Sequence, residues 1–114
     1  IGHIIGGRYA LQHGISHAML LAPAMRQLLP AIGADQTIVH EALGVAPGAT
    51  TDDAAGHMAA LVAELPLPRR LREVGVNRNA LSDIAAATMS DYMMANLPEH
   101  MTEPDVLALL DEAF

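Results

Sequence analysis

The sequence contains no cysteine, no lysine and no tryptophan, and its 114 residues include only two tyrosines and one phenylalanine. Without cysteine there is no disulfide, no thiolate-held zinc and no thiol nucleophile. That absence is compatible with the cytosol, and a cytoplasmic protein is the expectation. With lysine missing, all six cationic side chains are arginines; against 13 acidic residues they leave a formal charge of -7. Nucleic acids and anionic membranes are bound by clustered cations, so neither is an expected partner. Long hydrophobic runs are missing too. The longest, Ala18 to Met25, contains Pro23 and stops at Arg26, well short of the ~20 apolar residues that span a bilayer. No secretory signal pattern is visible.

What remains is 52% hydrophobic and drawn from Ala, Leu, Ile, Val and seven Met. Ala, Leu and Met lose least on entering a helix, so composition alone points to helices rather than strands. The length suits one domain with one core. The chain opens at Ile1 inside a patterned apolar segment rather than at an initiator Met, and the expectation is that a further N-terminal part precedes it.

Along the chain the pattern predicts six or seven short helices joined by tight loops. Gly2 and Gly6 are four apart and would share a helix face that another backbone or a ligand can approach closely; a helix end fraying into a glycine turn is the alternative. His13-Gly14 reads as a junction before a helix to about Leu29, and Gly33-Ala34 as the next break. Asp35 is expected to cap a helix to about Leu43, and Thr51 or Asp52 a helix to about Leu65. Pro66 and Pro68 end that helix, and Gly75 closes a short turn from Arg69 to Val74. Asn79 begins a helix with Leu81, Ile84, Ala85 and Thr88 on its apolar side and Asp83 and Asp91 on the opposite one. Thr102-Glu-Pro-Asp105 is a reduced capping box with Pro in the first turn. No segment alternates with period two over strand length. The fold class is all-α, a compact multi-helix domain over residues 1–114.

Six histidines are the only side chains that change charge near neutral pH without help, and neutral imidazole ligates Zn, Fe and Ni. His3, His13 and His17 fall within fifteen positions. His13 and His17 are four apart, so on a helix they share a face and can reach one ion. Each could equally be a singly hydrogen-bonded histidine near the core. His40 and His57 lie among apolar neighbours with no partner motif and are read as structural or surface residues. His100, after Pro98 and Glu99, is read as solvated.

From Gly2 the chain runs Gly-His-Ile-Ile-Gly-Gly-Arg-Tyr, then His13-Gly14, Ser16-His17-Ala18, an apolar run and Pro23. This segment resembles the signature of the iron-type (group III) alcohol dehydrogenases, a family that includes lactaldehyde reductases, butanol dehydrogenases and maleylacetate reductases. There a histidine before Leu-Gly-Gly is followed, ten residues on, by His-Gly and a helix of the form Ala-x-x-Leu-x-Pro. The likeness continues through Leu65-Pro-Leu-Pro-Arg-Arg-Leu71-Arg-Glu-Val-Gly75, through Leu81 to Ala87, and through Asn96 to Phe114. It covers essentially the whole chain in the family's order.

The resemblance implies a dehydroquinate synthase-like C-terminal helical domain from a larger two-domain α/β + α enzyme. Its N-terminal nucleotide-binding domain would lie outside these residues. It further implies NAD(P) and a divalent metal, Fe²⁺ or Zn²⁺, as cofactors of the parent enzyme, and a homo-oligomer. His13 takes the place of the last metal ligand. His3 takes the place of a catalytic histidine near the nicotinamide that relays the alcohol proton, and the preceding metal histidine would fall before Ile1. No residue of the chain matches a cofactor-binding position. The implied substrate is a small alcohol or aldehyde, or a keto acid. Departures leave that choice open: Gln12 stands where the family usually has Pro, and the tail reads Asn96-Leu-Pro98 rather than Asn-Pro. His17 resembles the maleylacetate reductase branch, whereas His13-Gly14 resembles the alcohol dehydrogenases; His17 is therefore a candidate substrate contact. One imidazole cannot hold Fe²⁺ or Zn²⁺, so the 114 residues alone are expected to be inactive. Two other readings stay open: a non-catalytic helical interaction module, and a small metal-binding protein built on His3, His13 and His17.

Overall fold

The computed structural model describes residues 1–114 and contains no strand. Six α-helices, α1 (Gly2–Tyr9), α2 (His13–Leu28), α3 (Gln36–Leu43), α4 (Thr51–Ala63), α5 (Leu81–Met89) and α6 (Glu103–Ala113), are joined by short 3₁₀ segments. No helix is long and apolar enough to cross a membrane.

The longest helix, α2, runs through the middle and packs against α1, α4 and α6. Pro23 lies inside it and is buried; the helix continues to Leu28 despite the donor that proline lacks. The core joins Ile5 of α1 and Met19 and Leu20 of α2 to Leu81, Ile84 and Ala85 of α5. From α6 it takes Val106, Leu109 and Leu110, and Leu71, Val76 and Met101 fill between. The spacing of Leu81, Ile84, Ala85 and Thr88 places all four on the buried face, as the pattern predicts. Thr88 has no polar partner but its own helix, so its hydroxyl donates back to the Ile84 carbonyl at 2.8 Å.

The α3–α4 arm is peripheral. α3 buries no residue fully and α4 buries only Ala54 and Ala55. The body is a slab of 39 × 33 × 19 Å, and α4 packs between α2 and α3 with small side chains at the contact.

Helix ends follow local chemistry. α4 and α6 each begin with a reciprocal cap, Thr50 with Asp53 and Thr102 with Asp105. The second is the box expected from the sequence. The first is one residue earlier than expected, because it is Thr50 that keeps the extended backbone a cap requires. α4 also ends at Ala63, before the expected Leu65. Asp35 makes no capping bond; its backbone is already helical, so its carboxylate is turned away from the free N–H groups. α1 stops at Ala10, whose φ of 52° makes it the only non-glycine residue with positive φ. The turn places the start of α2 beside the start of α1.

Candidate functional site

His3 lies in the first turn of α1, His13 opens α2, and His17 follows one turn later. The tight link through Ala10, Leu11 and Gln12 folds these two helix starts together. The rings of His3 and His13 meet edge to face with centroids 6.1 Å apart. Those of His13 and His17 are tilted by 36° at 3.9 Å. All three expected residues therefore line one open depression of about 200 Å³, together with Ile1, Gly2, Asp91 and Met93. His40, His57 and His100 lie elsewhere and do not reach it.

Hydrogen bonds fix part of this cluster. Nδ1 of His17 is 2.8 Å from the His13 carbonyl oxygen. A carbonyl only accepts, so this nitrogen carries the hydrogen and Nε2 keeps its lone pair. The buried Ser16 hydroxyl donates to the same carbonyl at 2.9 Å. Gly2 makes room for the His17 ring: a Cβ there would come within 2.4 Å of Cε1. The close approach expected at a glycine of α1 is thus real at Gly2, and what approaches is an imidazole. At Gly6 the nearest atoms, the Leu11 carbonyl oxygen and the Ser16 hydroxyl, stand at ordinary distances of 3.6 and 3.8 Å.

Asp91 is the member that the sequence pattern misplaces. Continuation of the α5 periodicity puts it on the solvent side, but α5 ends at Met89 and Asp91 instead caps the 3₁₀ turn Tyr92–Asn96. Its Oδ1 accepts from the Met93 N–H at 2.9 Å, and its Oδ2 lies 3.5 Å from Nδ1 of His3. The carboxylate side chain is 9% exposed, whereas the His3 side chain is 54% exposed. The signal available in the sequence was the position of Asp91 two residues before Met93, an Asx-turn spacing.

Beside the histidines a second, apolar cavity of about 260 Å³ shares His17, Asp91 and Met93 and extends along Leu20, Ala24 and Leu97. A third cleft, between α2 and α4, is bordered by Arg26 and Glu112, which pair with each other.

The sequence model described as Fe-containing alcohol dehydrogenase family, C-terminal, matches residues 1–114. The chain belongs to the Fe-containing alcohol dehydrogenase family. It is 26% identical to lactaldehyde reductase of Escherichia coli K12 and 28% identical to 1,3-propanediol dehydrogenase of Klebsiella pneumoniae, over 119 residues in each case. It is 27% identical over 117 residues to alcohol dehydrogenase 4 of Saccharomyces cerevisiae. All of this chain is covered in each match, but only 30 to 31% of each relative. The fold of a crystallised 1,3-propanediol oxidoreductase superposes with a TM-score of 0.79 at 28% identity, covering 99% of this chain and 31% of that one. An alcohol dehydrogenase from Oenococcus oeni shares the fold, with a TM-score of 0.86 at 24% identity and the same coverage.

Membership of an Fe-containing alcohol dehydrogenase family raises the question of a metal. No three His, Asp or Glu side chains of these residues are placed to grip one ion, so the trio His3, His13 and His17 does not build a metal centre by itself. The reason is geometric: His17 is turned onto the His13 backbone and His3 onto Asp91. The His13 ring, by contrast, is exposed and free of hydrogen bonds within the chain.

Proposed function

We propose that these residues are the metal- and substrate-facing helical part of an NAD(P)-dependent alcohol dehydrogenase or carbonyl reductase. The observation that carries the reading is the convergence of three imidazoles and a desolvated carboxylate on one open depression, in a chain of this family. A helical docking module needs no such convergence.

In this reading His13 contributes one ligand to a divalent ion, Fe²⁺ or Zn²⁺, and the remaining ligands come from sequence outside these residues. When bound, the ion supplies Lewis acidity toward the alcohol oxygen and the nicotinamide accepts or gives the hydride. His3 takes up the hydroxyl proton and returns it to solvent, a role that its exposed ring permits and its carboxylate neighbour supports. His17 presents Nε2 to the substrate. The substrate is a small alcohol or aldehyde, or a keto acid such as maleylacetate. The nucleotide is held by a separate N-terminal domain, and residues 1–114 alone are inactive because a single imidazole does not retain the ion.

Metal analysis and kinetics on the parent enzyme test this assignment. His13→Ala is expected to lose bound metal and activity together. His3→Ala is expected to keep its metal while turnover falls ~10²-fold or more, the usual contribution of a positioned proton-transfer group. Full metal occupancy in His13→Ala, or turnover of NAD(P)H by the 114 residues alone, would overturn it.

A further inference from the structure

We propose that Asp91 is a positioning residue for His3, holding the imidazole in the tautomer that carries hydrogen on Nδ1 and leaves the Nε2 lone pair open to the depression. The inference rests on the proposed proton-relay role of His3, which needs an accepting nitrogen on its exposed edge.

The two oxygens of Asp91 have separate tasks. Oδ1 is occupied by the Met93 N–H at 2.9 Å, which orients the carboxylate. Oδ2 is thereby aimed at Nδ1 of His3, 3.5 Å away. That separation is an electrostatic contact rather than a closed hydrogen bond, yet its sign is unambiguous. A carboxylate only accepts, so the nitrogen facing it is stabilised when it bears hydrogen. The carboxylate side chain is only 9% exposed, so few waters reach Oδ2 from its own side, and a partly desolvated acceptor favours the neighbouring donor. In a neutral imidazole, the ring nitrogen that bears hydrogen is set by the bond its other side makes. With hydrogen held on Nδ1, Nε2 is the acceptor, and the 54% exposure of the side chain leaves that edge accessible.

The neighbouring imidazole of His17 follows the same logic independently, since the His13 carbonyl holds hydrogen on its Nδ1. Two imidazoles that line the depression thus have hydrogen held on Nδ1, one by a carboxylate from beyond α5 and one by the backbone of α2.

The proton step balances within His3 alone. Nε2 accepts the hydroxyl proton of the alcohol, Nδ1–H stays in place against Oδ2, and the same Nε2 later releases its proton to solvent. A ring flipped to the other tautomer would meet the alcohol with an N–H and accept nothing.

The test is ¹⁵N NMR of the imidazole nitrogens in the 114-residue chain, at a pH where the histidines are neutral, with His3→Gln used for assignment. In the wild-type chain His3 is expected to show a pyrrole-type Nδ1 and a pyridine-type Nε2, and His17 the same pattern. Asp91→Ser keeps an oxygen able to cap the Met93 N–H but removes Oδ2. It is expected to move His3 toward the Nε2–H form while His17 does not change. A pyridine-type Nδ1 on His3 in the wild type overturns the proposal, as does an unaltered His3 pattern in folded Asp91→Ser. Should that variant not fold, the wild-type pattern decides. Failure of the relay reading shows elsewhere: His3→Ala in the parent enzyme would keep full turnover while the tautomer result stood.

Discussion

A methyl group on Gly2 would lie 2.4 Å from Cε1 of His17, so the first turn of α1 and the second turn of α2 are packed ring against backbone. The ring cannot swing away freely, because Nδ1 of His17 is held at 2.8 Å by the His13 carbonyl. Position 2 is thus decided by a neighbour, not by helix propensity.

Gly2→Ala is expected to destabilise the chain by about 1–3 kcal/mol, the usual cost of overpacking, although alanine is favoured over glycine in a helix by ~1 kcal/mol. In a His17→Ala background the same substitution should change sign and stabilise. Urea unfolding of the four chains in this cycle measures the coupling; additive effects would show that the ring gives way without cost.

The turn between α1 and α2 holds Ala10 at φ 52°, ψ 37°, a conformation costing L-residues roughly 1–2 kcal/mol. Ala10→Gly removes that strain but adds flexibility to the unfolded chain worth ~0.4–1 kcal/mol, so a small net gain in thermal midpoint is expected. Ala10→Val, β-branched at positive φ, should lower the midpoint clearly.

The two reciprocal caps are alike in geometry and unlike in consequence. Thr102 begins α6, which buries Val106, Leu109, Leu110 and Ala113, whereas α4 buries only two alanines. Thr102→Ala should lower global stability by about 1 kcal/mol. Thr50→Ala should instead appear as lost amide protection within α4 with little change in the global midpoint, because a peripheral helix opens locally. Hydrogen exchange beside chemical denaturation separates the two.

The caps also set the acid limb of stability. The hydroxyl and then the backbone N–H of Thr102 hold Asp105 below its usual 3.8, and the backbone N–H and then the hydroxyl of Thr50 do the same for Asp53. A carboxyl depressed in the folded state contributes stability that is complete above its unfolded value and is lost as pH falls through the folded one. Stability is therefore expected to hold down to about pH 4 and to decline below it. Asp105→Asn, which cannot ionise, should flatten that decline; an unchanged acid limb would show that the cap does not carry it.

Chelation supplies a test on the isolated chain. With no three ligands placed around one point, EDTA and added Zn²⁺ are both expected to leave its melting temperature unchanged. A stoichiometric rise with Zn²⁺ would mean that the histidines rearrange into a site of their own.

The helical character, the apolar face of α5, the Thr102–Asp105 cap and the family membership were all legible in the amino-acid order. Each depends on contacts within a few residues, or on motifs whose spacing is retained along the chain. The three histidines were legible for the same reason: two lie one helical turn apart, and the third is brought back by a short turn. Asp91 and Gly2 were not. The pleasing periodicity through Leu81, Ile84, Ala85 and Thr88 extends by arithmetic to a solvent-facing Asp91, yet the helix stops at Met89 and the carboxylate turns inward to cap the next segment. Its nearness to His3, at the other end of the chain, exists only because α1 and α5 pack together over Ile5 and Ile84 in one core. Local order sets which side chains a helix presents. Which of them meet across the molecule depends on how the helices pack, and only the tertiary structure decides that.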